Sequence, residues 1–161
     1  MLTQKEVKGL LNYNPETGQL RWRVARGRRS HGDVGGAVHS TGYRYIGING
    51  KKYRAHIIIW LYMTGSFPVN QVDHSNGEKD DNWWSNLRAA THRENQWNKA
   101  MNSNNTTGYK GVYRSWNKFI ARLQFDGKQY RLGSFPTAEL AHEAYCKKAK
   151  ELHGEYYHRN D

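Results

Sequence analysis

The chain has 161 residues, 37% of them hydrophobic, and Lys and Arg outnumber Asp and Glu by 25 to 14 for a net charge of +11. That length suits one ordinary domain or two small ones, and the hydrophobic share is low for a single large core, so small modules or surfaces buried only on binding are expected. Charge this basic, with 13% aromatic residues often beside Arg or Lys, points to nucleic acid rather than a membrane surface, because rings pack on bases while cations meet phosphates. A single cysteine, Cys146, excludes a disulfide framework and a cysteine-based zinc site. The run "HIIIWLYM" is too short to span a bilayer, and "MLTQKEVKGLL" lacks the apolar stretch of a signal peptide.

Residues 1–40 open with a short helical stretch. Two short strands follow, divided by the turn signal "NPETG". "RWRVARGRR" then reads as a basic arm with Arg26, Arg28 and Arg29 as candidate phosphate contacts, and "GDVGGAVHSTG" as loop. "YRYIGINGKKYRAH" predicts a hairpin, since Asn49-Gly50 is a type I′ turn signal. "HIIIWLYMTG" predicts a short buried helix ending at Gly65, with His56 in a structural role at its start. "QVDH" and "LRAA" are short strands around the loop "SNGEKDDNWWSN", and Thr91 with Glu94 forms a capping pattern for a helix carrying Asn95. Within the loop, packing is the expected role of Trp83 and Trp84. The polar "MNSNNTTG", residues 101–108, is the expected linker between a first domain, 1–100, and a second, 109–161.

In the second domain "YKGVYRS", "FIARLQF" and "QYRLGSF" read as three strands. Asp126-Gly127 makes a hairpin turn, and a helix runs from Thr137 to about His153, with Gly154 as its stop. Ala141, Ala144, Tyr145, Ala149 and Leu152 form that helix's apolar stripe. Alternation turns Ala121, Leu123, Tyr130 and Leu132 toward the helix and Arg122, Gln124, Gln129 and Arg131 outward. Arg114, Trp116 and Lys118 are expected to extend the outer face. Arg can reach guanine edges and Gln adenine edges.

The chemistry concentrates in "VDHSNGEKDDNWWSN". Phosphodiester hydrolysis needs a base for water, a Lewis acid for the leaving oxygen and a group that orients the base. His74 is a candidate base and Asp73 a candidate ligand for a hard cation such as Mg²⁺. Asn95 could offer an amide oxygen to the same ion, and Asn86 could accept from the imidazole Nδ1–H and fix the tautomer. A calcium loop fits less well: its glycine stands one place too early and no glutamate closes it. A polar loop without metal is the plain alternative.

The stretch "AHIIIW…GSFP…VDHSNGEKDDNWWSNLRAATHRENQWN" resembles the core of phage HNH homing endonucleases over roughly residues 40–100. The resemblance implies a ββα-metal fold with its core at about 54–100. It also implies His74 as general base, Asn86 as its orienting residue, and Asp73 and Asn95 as ligands of a divalent ion, Mg²⁺ or Mn²⁺. The stretch "GYKGVYRSWNKFIARLQFDGKQYRLGSFPTAELAHEAYCKKAKELHGE", which covers nearly all of residues 107–157, is similar to the AP2 DNA-binding domain, a three-stranded sheet on one helix whose sheet enters the major groove. The expectation is therefore an α+β protein with two modules, acting as a site-specific endonuclease that nicks or cuts double-stranded DNA. It would work as a monomer or weak dimer, without a small-molecule substrate, in the cytoplasm (of a bacterial host, if phage-encoded). The alternative is a DNA-binding regulator that keeps the same folds without catalysis.

Overall fold

The computed structural model describes residues 1–25, 27–97, 101 and 104–157. The chain divides into two compact units, Met1–Arg93 and Glu94–Asp161.

In the first unit a capping box starts helix α1 (Gln4–Leu10): Thr3 Oγ1 accepts from the Glu6 N–H, and Glu6 Oε2 accepts from the Thr3 N–H at 2.8 Å. Such a box satisfies two amides that a helix start leaves open. α1 runs into β1 (Leu11–Tyr13), which pairs antiparallel with β2 (Leu20–Trp22). The "NPETG" turn between them is built as predicted. Asn14 Oδ1 accepts from the Glu16 and Thr17 amides, and Gly18 takes φ 70°. A Cβ at Gly18 would collide with the main chain of Asn82 and Trp83, so this turn presses directly on the loop that holds the site. Trp84 N donates to Pro15 O at 2.9 Å from the other side of that contact.

A three-stranded sheet follows, in the order β3 (Ala37–Val38), β4 (Arg44–Ile48), β5 (Lys51–Arg54). β3 lies in the stretch predicted as loop. Too short to show a period, it forms because Ala37 and Val38 pair with Tyr45 and Arg44 across the sheet. Asn49 and Gly50, at φ 49° and 76°, make the predicted β4–β5 turn with two positive φ values. Helix α2 (Ala55–Thr64) ends where Gly65 enters the left-handed region at φ 86°. Ile58, Ile59 and Leu61 of α2 pack with Val7, Leu11, Leu20, Ile46 and Ile48 into one apolar core that reaches Val72 and Leu87. Those last two belong to the hairpin of β6 (Gln71–His74) and β7 (Leu87–Ala90), so the core supports the strands that carry the site.

The division between the units falls inside helix α3 (His92–Trp97), upstream of the predicted linker. Part of that linker is tied into the second unit: Asn105 Nδ2 donates to Tyr109 O at 2.8 Å and Thr107 Oγ1 to Val112 O at 3.0 Å. The second unit is a sheet of β8 (Val112–Ser115), β9 (Lys118–Phe125) and β10 (Lys128–Phe135), ordered β10-β9-β8, against α4 (Ala138–His153). Thr137 caps α4, and Gly154 follows it at φ 56°. Val112, Ala121, Leu123, Ala141, Tyr145 and Ala149 form the core. Strand β9 alternates as expected, with Ala121 and Leu123 buried and Arg122 and Gln124 exposed. Among the described residues no helix is long and apolar enough to cross a membrane.

Candidate active site

The β6–β7 register sets Asp73 opposite Arg88 and His74 opposite Leu87. Successive strand residues face opposite ways, yet both Asp73 (7% exposed) and His74 (3%) are buried, so the end of β6 is covered on both faces. Arg88 is a direct cross-strand neighbour of Asp73. Its Nη2 donates to Asp73 Oδ2 at 2.8 Å and its Nε to the same oxygen at 3.1 Å.

The His74 ring packs edge-to-face with His56 at 4.9 Å between centroids and 88° between planes, and tilts against Tyr43 at 6.1 Å. His74 Nε2 lies 3.3 Å from Asn82 Oδ1. Asn82, 3% exposed, has its own amide group set by Asp80: its Nδ2 donates to Asp80 O at 2.8 Å and Oδ1 at 3.3 Å. Asp80 in turn takes both Nε and Nη2 of Arg44 at 2.8 Å. Tyr13 Oη donates to Asn82 O at 2.7 Å, anchoring the same residue from β1.

Burial pulls the His74 imidazole below its usual value, against opposing pushes from the Asn82 hydrogen bond and from Asp73, Asp81 and Asp80. Desolvation disfavours the charged ring, and a neutral imidazole is the form that can accept a proton. Burial, with smaller pushes from His74 and Arg54, takes His56 down to about 3.

Asn86 does not orient the imidazole as expected. Its Oδ1 accepts from Ser75 Oγ at 2.8 Å and Asn76 N at 3.0 Å, while its Nδ2 donates to Asn76 Oδ1 at 2.9 Å and Asp81 O at 2.7 Å. The amide is spent closing the loop between β6 and β7, because Asn86 sits at the loop's end, where the two sides converge. The side-chain amide that meets the ring is that of Asn82, and it does so at Nε2 rather than at the expected Nδ1. Asn95 lies half-buried on α3 in the second unit. The two tryptophans split: Trp84 packs on the core and on Trp60 at 5.4 Å, whereas Trp83 is 43% exposed.

Asp73 is a buried carboxylate, the oxygen donor a hard divalent cation takes, although Arg88 already occupies its Oδ2. Among the described residues no group of three or more His, Cys, Asp or Glu side chains is arranged to hold a metal. The expected donor set contains one carboxylate and otherwise amide oxygen.

Arg26 lies outside the described residues. Arg28 and Arg29 are exposed, but Arg29 is not part of a loose arm. Its guanidinium lies 4.5 Å over the Trp22 ring and donates to Gly47 O at 3.2 Å. In the second unit Arg114, Trp116, Lys118, Arg122, Gln124 and Arg131 are all exposed. Arg122 pairs with Arg131, and Arg122 lies 4.5 Å over Tyr113. Lys118, Arg122, Gln124 and Arg131 share the face turned from α4. Arg114 does not. Two residues beyond Val112 and paired with Phe119, it has the parity of the helix side.

Sequence reasoning missed Asn82 as a member of the site and gave His56 only a structural role. The pairing of Arg88 with Asp73 shows only in the register of the two strands. The Asn82 contact crosses the loop and has no local signal.

The HNH endonuclease family model matches residues 53–97. Protein 3.8 of Escherichia phage T7 is 32% identical over 111 residues, which is 66% of this chain and 89% of that protein. The uncharacterized HNH endonuclease L560 of Acanthamoeba polyphaga mimivirus is 36% identical over 109 residues, 66% of this chain and 56% of its own. The ethylene-responsive transcription factor ERF117 of Arabidopsis thaliana is 47% identical over 59 residues, 34% of this chain and 18% of its own. A solved structure described as DNA binding and cleavage by the HNH homing endonuclease I-HmuI aligns with 94% of this chain and 88% of that one, at 21% identity and a TM-score of 0.44.

Proposed function

Since the chain belongs to the HNH endonuclease family, we propose that it is a site-specific, metal-dependent DNA endonuclease of the homing type, with His74 as its general base. The observation that carries this reading is the buried His74 at the end of β6, gripped at one ring nitrogen by Asn82, with Asp73 next to it on the same strand.

In the proposed reaction His74 accepts a proton from water as that water attacks the scissile phosphorus in line. Asn82 holds the ring. Asn86 holds the loop closed, so that the ring and Asp73 keep their places at its mouth. Asp73 would hold a divalent ion, Mg²⁺ or Mn²⁺, which when bound supplies charge stabilisation at the leaving oxygen. Arg88, which holds Asp73 Oδ2, is a candidate cation for the charge that builds on the phosphate.

The second unit is proposed as an AP2-like DNA-binding module that docks its sheet face on a duplex. The net charge of +11, the exposed Lys118, Arg122, Gln124 and Arg131, and the short likeness to the plant factor support that assignment. Arg28 and Arg29 would add phosphate contacts from the first unit.

The test uses supercoiled plasmid and a broad pool of phage DNA with Mg²⁺, Mn²⁺ or EDTA, and His74→Ala alongside. Metal-dependent nicking or linearisation that vanishes in His74→Ala, with binding intact by gel shift, is the expected result. Binding without cutting across the pool, in every metal, would replace this reading with that of a DNA-binding regulator.

A further inference from the structure

We infer that Asn82, held by the Asp80–Arg44 pair, is the positioning residue of His74, and that it makes Nδ1 rather than Nε2 the basic nitrogen of that ring. The inference deepens the nuclease reading and rests on it for its catalytic meaning. Its structural content stands on contacts alone.

An asparagine amide can present either its oxygen or its NH₂ group to an imidazole, and the two choices select opposite tautomers. Here the surroundings decide. Two oxygens of Asp80, one main-chain and one carboxylate, lie 2.8 and 3.3 Å from Asn82 Nδ2. Both can only accept, so the NH₂ group must face Asp80 and the oxygen must face His74. An oxygen 3.3 Å from Nε2 requires the proton on Nε2, which leaves Nδ1 with the lone pair.

His56 stands edge-to-face against the ring, and Tyr43 packs on both His56 and His74. Asp80 is itself fixed, because both of its carboxylate oxygens meet Arg44 at 2.8 Å, and Arg44 also donates to Gly36 O at 3.2 Å. A line of polar contacts thus runs from the β3–β4 region through Arg44, Asp80 and Asn82 to the ring. Asn86 takes no part in it, since its amide closes the loop.

Among the described residues, the charged and titratable groups facing the ring include His56 from α2, Tyr43, Asp73 on its own strand, and Asp80 and Asp81 from the loop, and an Asp oxygen at Nε2 would demand the same tautomer as the Asn82 oxygen does.

The full-length chain, labelled with ¹⁵N, gives a direct readout: long-range proton–nitrogen correlation at neutral pH distinguishes the protonated from the bare ring nitrogen of His74. The expected result is a protonated Nε2 and a bare Nδ1 in the wild type, with mixed tautomers in Asn82→Ala. In cleavage assays Asn82→Ala should lower kcat by about ten- to a hundredfold, with KM within about twofold. Arg44→Ala should lower kcat in the same direction, and the double variant should be little worse than Asn82→Ala alone.

Should Asn82→Ala fail to fold, Asn82→Ser serves instead: its shorter side chain withdraws the acceptor from Nε2, and it should show the same mixed tautomers. A wild-type ring protonated on Nδ1, or an Asn82→Ala variant with unchanged tautomer and unchanged kcat, overturns the inference. If the wild-type chain cuts no DNA, the nuclease reading fails while the tautomer measurement still decides this one.

Discussion

Arg88 reaches across the β6–β7 hairpin and holds Asp73 Oδ2 through two nitrogens, at 2.8 and 3.1 Å. Both side chains are mostly buried, 18% and 8% exposed, so this is not a surface pair of negligible worth. Removing one member of a buried pair leaves the other's charge poorly compensated, at a cost of roughly 1–3 kcal/mol for a pair that is not fully enclosed. On the proposed reading a divalent cation uses the same carboxylate.

Arg88→Ala should therefore melt at lower temperature in EDTA and recover part of the loss when Mg²⁺ is added. The Mg²⁺-induced rise in Tm should be larger in the variant than in the wild type, because the ion takes over the role of the missing guanidinium. Thermal unfolding with and without Mg²⁺ measures both. An identical Mg²⁺ shift in the two proteins would show that ion and Arg88 do not share Asp73.

Buried neutral histidines give the stability a definite pH dependence. Burial takes His56 from 6.5 to about 3 and His153, in the second unit, to about 4. Each folded form resists a proton that the unfolded chain accepts below about 6.5. The contribution is complete above that value and is lost as pH falls toward 3 or 4. Across pH 6 to 4 each histidine should add a slope of up to ~1.4 kcal/mol per pH unit. His56→Phe, which keeps an aromatic ring against His74, should flatten the slope of the first unit's transition by about one proton. Urea titrations at successive pH values between 7 and 4 test this, and an unchanged slope in His56→Phe would mean that His56 is not held neutral by the fold.

Much of the fold was legible because its signals are local. Asn49-Gly50 and Asp126-Gly127 supplied their turns with positive φ at both residues. Thr137 and Gly154 marked the ends of α4, and the strand "QVDH" matches β6, Gln71–His74. What was not legible depends on partners distant in sequence. β3 has two residues and exists only through its pairing with β4. Arg114 is expected to extend the outer face, but the Val112↔Ala121 and Arg114↔Phe119 register gives it the opposite parity. The site shows the same split. Asp73 and His74 were found as neighbours on one strand. Asn86, four places from Asn82, was given the orienting role, because only the folded loop shows which amide meets the ring and which closes the turn.

Trp116 offers a prediction in which stability and affinity separate. It sits in the two-residue connection between Ser115 and Lys118, which pair across the β8–β9 hairpin. Its φ is 54° and it is 94% exposed. A bulky residue in the left-handed region costs roughly 1–2 kcal/mol, and this one regains nothing from burial. Glycine adopts that conformation freely but loses more chain entropy on folding, so relief and cost partly offset. Trp116→Gly should leave the melting temperature unchanged or raise it slightly. If the sheet face docks on DNA, the same variant should bind several-fold more weakly. Because the lost group is uncharged, the dependence of affinity on salt should stay as in the wild type. Arg122→Ala, by contrast, should reduce the logarithmic salt slope by about 1. Fluorescence anisotropy on duplex DNA at several salt concentrations, paired with thermal melts of the same samples, reads all of these. A marked fall in Tm for Trp116→Gly would make the tryptophan a structural residue, and unchanged affinity would remove it from the DNA-binding face.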